Sequence, residues 1–158
     1  MNTVYIETSI LSHATARPSR DIQTAALQQQ ARDWWRIERP NFNLVTSQLT
    51  LDEASRGDQN AAIERLKLLD GIPLLDIDSD SQALANLILS GHMMPQKAAA
   101  DALHIAVAAT NLIPYLLTWN CRHLANATMR PVIEAVCIAK GLKAPIICTP
   151  EELMEAKP

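Results

Sequence analysis

The amino-acid sequence predicts an α/β fold with a mainly parallel central sheet of four to five strands. Short segments rich in β-branched and aromatic residues alternate with longer segments of helical character along the chain. The first of them, residues 3–6, is typical of a buried strand in an open parallel sheet. No repeat, linker or low-complexity tract interrupts the alternation, so residues 1–158 are predicted to form a single domain.

Five short apolar segments predict the strands, because each is bounded by residues that favour turns. They cover residues 3–6, 42–46, 73–77, 115–119 and 145–148. The first strand stops at Glu7, and Asn120 directly follows the fourth. Open α/β sheets bind ligands beyond the carboxyl ends of their strands. Glu7 is therefore the first candidate site residue; the alternative is a strand that simply ends in solvent.

Capping and stop residues predict the helices. The first helix runs from Asp21 to about Arg39 and stops at Pro40, which cannot continue a helix. Ser47 and Asp58 are predicted helix caps, and glycines follow several of the helix ends. The remaining helices are predicted at residues 47–57, 58–71, 79–90, 95–111, 120–124 and 131–140.

The composition fits one globular domain with its own core, since 48% of the 158 residues are hydrophobic. A net charge of -3 argues against indiscriminate binding to nucleic acid, although it leaves room for a local basic surface. No apolar run approaches the roughly 20 residues of a membrane span. Met1 leads into strand-like sequence rather than a signal segment, so we expect a cytoplasmic protein without a membrane partner.

Two other kinds of site have little support in the sequence. Cys121, Cys137 and Cys148 are odd in number and lack paired Cys-x-x-Cys spacing, which favours reduced thiols over disulfides or a zinc ribbon. His123 forms a Cys-x-His triplet with the first of them, but no further ligands follow at zinc-like spacing. Ser9 lacks the G-x-S-x-G turn of a hydrolase nucleophile.

Four blocks of the sequence form a recognisable set: VYIETS, TSQLTLDEASRG, DALHIA and LTWNCRHL, at residues 4–9, 46–57, 101–106 and 117–124. Together they resemble the PIN domain family, and within it the VapC-like ribonuclease toxins of bacterial type II toxin–antitoxin pairs. Each block is weak alone, but the four occur in the family's order and separation. The resemblance implies a PIN-like α/β/α sandwich and an acidic pocket that binds Mg²⁺ or Mn²⁺ and hydrolyses RNA.

The resemblance assigns the four positions of the acidic pocket to Glu7, Glu53, Asp101 and Asn120. It also makes Ser9 the hydroxyl that accompanies the first acid, with Thr8 as its neighbour. Two positions depart from the family pattern, because the first acid is ordinarily Asp and the fourth is often Asp. Glu is one methylene longer, and Asn offers a neutral carbonyl oxygen.

Phosphodiester hydrolysis explains why such a pocket is acidic. In-line attack needs a nucleophilic water and a way to hold charge on the phosphate, and divalent cations supply both. Carboxylates suit Mg²⁺, and without a cation they repel one another by about 1 kcal/mol per pair at 4 Å in water, or about 4 at an effective dielectric of 20. We expect one ion bound by Glu7, Glu53 and Asp101, with Asn120 orienting a water.

Each helical candidate has a structural alternative. Glu53 is equally compatible, from its own surroundings, with a solvated helix residue. Asp101 lies among small residues, where a carboxylate needs a partner or the edge of a cavity. His104 follows three residues later on the same helical face, where it contacts phosphate or Asp101, or is a satisfied, partly buried histidine.

Basic residues near the first predicted helix are candidates for RNA contacts. Two lie in the loop before it and three form a stripe along it: Arg17, Arg20, Arg32, Arg36 and Arg39. The alternative is a solvated face, or ion pairs with Asp33 and Glu38. Of Trp34 and Trp35, one is predicted in the core, and the other is available to stack on a base or a partner protein.

Three functional classes remain open from sequence alone. The first is a metal-dependent endoribonuclease toxin that a small antitoxin protein inhibits. The second is a PIN-fold nuclease outside any toxin pair, acting in RNA processing or on DNA. The third is a degenerate, non-catalytic member that binds RNA or protein, which Glu7 and Asn120 motivate. The apolar C-terminal half offers a face for a homodimer as readily as a core.

Overall fold

A five-stranded, all-parallel sheet forms the centre of the computed structural model, which describes residues 1–91 and 94–154. The strands are β1 (Asn2–Ile6), β2 (Phe42–Ser47), β3 (Leu74–Leu75), β4 (Tyr115–Leu117) and β5 (Ile146–Cys148). They lie in the order β3-β2-β1-β4-β5. The chain therefore builds the sheet outward from β1 in both directions, and β1 marks the point where the connections diverge.

Helices cover both faces of the sheet. They are α1 (Thr8–Thr15), α2 (Ile22–Asp33), α3 (Gln48–Ala54), α4 (Gln59–Leu68), α5 (Ser79–Ser90), α6 (Ala99–Thr110) and α7 (Arg130–Ala139). Side chains alternate along β1, so Val4 and Ile6 pack in the core with α1 and α2, while Tyr5 packs in the core with α5, α6 and α7. This arrangement confirms the predicted α/β/α sandwich.

Helix α1 is absent from the sequence prediction, which assigned no helix between the first strand and Asp21. Its Thr and Ser residues are weak helix formers that cost a few tenths of a kcal/mol each relative to Ala. Ile10 and Leu11 are fully buried, and burial of such side chains contributes about 1.5–3 kcal/mol each. Core packing therefore outweighs propensity, and the apolar spacing of Ile10, Leu11 and Ala14 was the available signal.

The helix predicted at residues 120–124 is wrong, because this segment forms successive turns. The carbonyl of Asn120 accepts the backbone N–H groups of both Leu124 and Ala125, at 3.2 and 2.8 Å. The next backbone bond joins Asn126 N–H to the Leu124 carbonyl at 2.8 Å, which closes the turn instead of continuing a helix. The segment therefore folds back towards α7.

The helix predicted to reach Arg39 changes character before it ends. Regular α-helix stops at Asp33, a π-helical turn covers Trp34–Glu38, and a short 3-10 turn at Arg39–Asn41 contains Pro40. The π turn places Trp34 in the core, where its Nε1–H donates to the Leu153 carbonyl at 2.7 Å. The prediction that one tryptophan is buried is confirmed.

The remaining elements follow the prediction closely, although β3, β4 and β5 are shorter than predicted and β1 and β2 are each one residue longer. β3 covers two residues instead of five, and β4 ends at Leu117 instead of 119. Asp58 caps α4 by accepting the Ala61 N–H at 2.9 Å, as predicted. The hydroxyl of Ser47 pairs with the Tyr5 hydroxyl instead of capping α3. Among residues 1–91 and 94–154, no helix is long and apolar enough to cross a lipid bilayer.

Candidate active site

The junction between β1 and α1 positions Glu7. Its backbone is extended, and its side chain caps α1 by accepting the Ser9 N–H at 3.0 Å. The same oxygen, Oε2, also accepts the hydroxyls of Ser9 and of Thr118, the latter at 2.7 Å. Glu7 is only 5% exposed, so these donors and the positive end of α1 stabilise a buried carboxylate.

Ser9 and Thr118 tie the end of β1 to the end of β4. The Trp119 N–H donates to Ser9 Oγ at 2.7 Å, and the Asn120 N–H donates to Thr118 Oγ1 at 2.9 Å. Both hydroxyls donate their own hydrogen to Glu7. The carboxylate of Glu7 is therefore held by residues from two neighbouring strand ends, as a site in the crevice of the sheet requires.

Glu53, near the end of α3, is the second acid of the site. Its Oε1 accepts the hydroxyl of Thr8 at 2.7 Å and His104 Nε2–H at 2.6 Å. The side chain is 21% exposed and bonded through one oxygen, so it is not a freely solvated helix residue. Thr8 and Ser9, adjacent at the start of α1, thus hold one acid each.

His104 connects Glu53 to the interior of the protein. It is fully buried, with Nδ1 lying 2.7 Å from the Tyr5 hydroxyl, which in turn lies 2.7 Å from Ser47 Oγ. A carboxylate only accepts hydrogen bonds, so Nε2 donates to Glu53. The interpretation of His104 as a satisfied histidine is confirmed, although it is completely buried and its partner is Glu53 rather than Asp101.

The charges of Glu53 and His104 stabilise each other. Burial alone would lower the pKa of His104, but Tyr5 and the hydrogen bond to Glu53 outweigh burial and raise this pKa to about 10. Burial alone would raise the pKa of Glu53, yet the hydrogen bond and charge of His104 lower it below its ordinary value. Both shifts favour the charged forms, an imidazolium on His104 and a carboxylate on Glu53, which would place a counter-charge inside the acidic site.

Asp101 lies in the first turn of α6, one turn before His104. Its Oδ2 accepts His123 Nδ1–H at 3.0 Å, and both side chains are 17% exposed. Ligand-type atoms of Glu7, Glu53 and His104 lie within 4.8 Å of one another, and Asp101 does not belong to this group. The structure thus brings Glu7 and Glu53 together and pairs Asp101 with a histidine on the β4 side.

Asn120 follows β4 and organises the turn beyond it. Its Oδ1 accepts the backbone N–H groups of Arg122 and His123, at 3.2 and 3.1 Å. These two donors identify the oxygen of the amide, so Nδ2 is the group without a hydrogen-bond partner among the described residues. The side-chain oxygen of Asn120, which the sequence suggested as a group of the site, is therefore bonded within the turn, and the Nδ2 amine is the group that remains available.

The three carboxylates share one feature that suits a hard cation. Each has one oxygen bonded to protein donors and one oxygen without a hydrogen-bond partner in the described part of the chain: Glu7 Oε1, Glu53 Oε2 and Asp101 Oδ1. Oxygen ligands are those that Mg²⁺ and Mn²⁺ prefer. Both nitrogens of His104 are already bonded, so it supports the acids rather than offering a ligand.

Sequence comparison identifies the family. The model of the PIN domain matches residues 4–123, about three quarters of the chain. The chain belongs to the PIN domain family. Members of this family are generally nucleases. No curated protein sequence matches the chain significantly.

Solved structures similar to this PIN domain include toxins and toxin–antitoxin complexes. VapC20 of Mycobacterium tuberculosis, a sarcin–ricin loop cleaving toxin, has 18% identity and a TM-score of 0.57, over 75% of this chain and 91% of that one. VapBC2 of Rickettsia felis, bound to promoter DNA, has 12% identity and a TM-score of 0.53, over 93% of this chain and 98% of that one. FitAB bound to a DNA fragment has 14% identity and a TM-score of 0.58, over 98% of this chain and 99% of that one. These similarities establish the fold.

The basic residues around this PIN domain are only partly available for RNA. Arg36 forms an exposed ion pair with Asp33 at 3.4 Å, as its structural alternative predicted. Arg39 lies over the ring of Trp35, 5.1 Å from its centroid. The other two predicted contacts, Arg17 and Arg20, are exposed, and their side chains have no partner among the described residues.

Sequence reasoning missed several residues that build the site. Tyr5 and Thr118 have the pattern of ordinary strand residues, yet the hydroxyls of both belong to the hydrogen-bond network of the acids. His123 was predicted in a helix, yet it binds Asp101. Arg56 was not a candidate, and its positive charge lowers the pKa of Glu53. All four residues lie within the family blocks, and this position was the available signal.

The Tyr5 hydroxyl is expected to stabilise the fold through the buried network. Tyr5→Phe leaves Ser47 Oγ and His104 Nδ1 without this partner, and unsatisfied buried polar groups cost about 1–3 kcal/mol. We expect urea unfolding to show that loss. Tyr115→Phe is the matched control, because no hydrogen bond reaches that hydroxyl from the described residues. Equal unfolding free energies for the two variants would contradict the network.

Proposed function

We propose that this PIN domain is a metal-dependent endoribonuclease and the toxin of a toxin–antitoxin pair, acting on RNA in the cytoplasm as a single domain over residues 1–158. The observation that carries the proposal is the pattern of carboxylate oxygens at the carboxyl edge of the sheet. Glu7, Glu53 and Asp101 each direct one oxygen to protein donors and keep another without such a partner. Membership of a family of nucleases supports the same chemistry.

The proposed cofactor is Mg²⁺ or Mn²⁺, held by the partner-free oxygens of Glu7, Glu53 and Asp101. When bound, the ion acts as a Lewis acid at the scissile phosphate and favours formation of the nucleophile from water. Two of the acids are positioned in advance: Ser9 and Thr118 fix Glu7, and Thr8 and His104 fix Glu53. Positioning in advance lowers the reorganisation needed during the reaction.

Asn120 is proposed to act on the substrate side of the pocket. Its Oδ1 is bonded to the turn, so the available group is the Nδ2 donor. A donor suits a phosphate oxygen or the attacking water, whereas it cannot bind a cation. This assignment keeps Asn120 among the functional residues and changes the atom that the sequence suggested.

RNA is the proposed substrate, and phosphate contacts are assigned to Arg17, Arg20 and Arg36. The ion pair of Arg36 with Asp33 is exposed, and such pairs contribute about 0–1 kcal/mol, so a phosphate can replace the carboxylate. Arg56 joins this set because its charge already acts on Glu53. With a net charge of -3, binding depends on such local groups and weakens as salt is added.

A small antitoxin protein and a second copy of the chain are the proposed protein partners. The structural similarity to VapBC2 and FitAB, which are toxin–antitoxin complexes, supports an antitoxin.

A non-catalytic PIN domain is the second candidate function. The position of Asp101 outside the group formed by Glu7, Glu53 and His104 favours it.

Removal of a proposed ligand is expected to abolish cleavage. Glu53→Gln and Asp101→Asn should each lower the rate of Mn²⁺-dependent RNA cleavage by about 100-fold or more, because a metal ion supplies several kcal/mol to the transition state. The assay uses a structured RNA and gel analysis of the products. Asp52→Asn is the matched control, because within the described part of the chain the exposed carboxylate of this neighbour of Glu53 bonds only Gln48. Wild-type rates in both ligand variants would exclude the metal assignment, whereas no cleavage by the wild type itself would favour the non-catalytic candidate.

Shortening the first acid is expected to weaken the site without unfolding it. Glu7→Asp retracts the carboxylate by one methylene from the donors on Ser9 and Thr118, so cleavage should fall by about 10-fold or more. Asp is itself a favoured N-cap, so the fold should persist, but the melting temperature should fall because the buried carboxylate loses donors. A rate equal to or above that of the wild type would mean that the pocket does not depend on the longer side chain.

A further inference from the structure

We propose that His123 is a positioning residue for the acidic site: it holds Asp101 by one oxygen, so that the other oxygen is presented to the metal ion. The inference rests on the proposed function and adds a residue that lies outside the acidic set. His123 Nδ1 lies 3.0 Å from Asp101 Oδ2. An ionised carboxylate only accepts, so the imidazole N–H is the donor.

A continuous set of hydrogen bonds joins His123 to the opposite side of the site. Thr118 Oγ1–H donates to Glu7 Oε2 at 2.7 Å, and the Asn120 N–H donates to Thr118 Oγ1 at 2.9 Å. Asn120 Oδ1 then accepts the His123 N–H at 3.1 Å. The loop after β4 thus connects the carboxylate of Glu7 to that of Asp101 through three intermediate residues.

This connection fixes Asp101 from a second direction. Helix α6 already places Asp101 one turn before His104, whose ring reaches Glu53. The backbone alone does not set the carboxylate plane, because the terminal torsion of Asp is broad and roughly two-fold. The bond from His123 selects one orientation, and at 17% exposure of both side chains water competes for it only in part.

The effect on metal binding follows from this orientation. Groups that hydrogen-bond a ligating carboxylate commonly change metal affinity by about 10- to 100-fold when they are removed. Loss of the His123 ring leaves Asp101 Oδ2 without its donor and allows the carboxylate to rotate. A bound ion would then have two fixed carboxylates and one mobile carboxylate as ligands, so its affinity would fall.

Manganese affinity, measured by isothermal titration calorimetry on the full chain, tests the proposal without any need for RNA. His123→Ala should weaken Mn²⁺ binding by about 10- to 100-fold. His123→Asn should bring the affinity back to within about threefold of the wild type, because its amide nitrogen replaces the Nδ1 donor. Thr128→Ala is the control and should bind like the wild type, because this exposed residue of the same loop bonds Asn126 and no residue of the site.

The outcomes separate this inference from the proposed function. If the wild type binds Mn²⁺ and His123→Ala binds equally well, the positioning role is overturned and the nuclease proposal stands. If both His123 variants bind weakly and melt at lower temperature, the histidine only stabilises the loop, which also overturns the role. If the wild type binds no Mn²⁺, the proposed function fails, and this inference fails with it.

Discussion

The buried carboxylate of Glu7 is the interaction on which the rest of the site depends. An ionised group in a protein interior is costly unless donors surround it. Glu7 meets this condition with the backbone and hydroxyl of Ser9, the hydroxyl of Thr118 and the start of α1. Because the donors come from the ends of β1 and β4, satisfying Glu7 also fixes how these two strand ends meet.

The second acid is satisfied from inside the sheet. Tyr5 points to the face of β1 opposite to its neighbours Val4 and Ile6, and its hydroxyl meets His104 below the acidic site. His104 then provides Glu53 with a donor and a positive charge. The strand alternation of β1 thus supplies packing on one face and polar support for the site on the other.

The sequence predicted what local patterns and family blocks encode. The parallel sheet, most helix bounds and the convergence of Glu7 with Glu53 follow from them. Helix α1 was not predicted, because its hydroxyl-rich residues have low helix propensity and core packing decides its conformation. The link between His123 and Asp101 escaped because it joins residues 22 positions apart through a turn that only the fold defines. Contacts of this kind carry no periodicity.

An anomalous difference map from a crystal soaked in Mn²⁺ tests most directly the central claim that the three acids bind one metal ion. The account predicts one strong peak among the acids, bonded to Glu7 Oε1, Glu53 Oε2 and Asp101 Oδ1, while the other oxygens keep their protein donors. A well-ordered site with no peak at saturating manganese would contradict it. A peak bound away from these three side chains would contradict it equally.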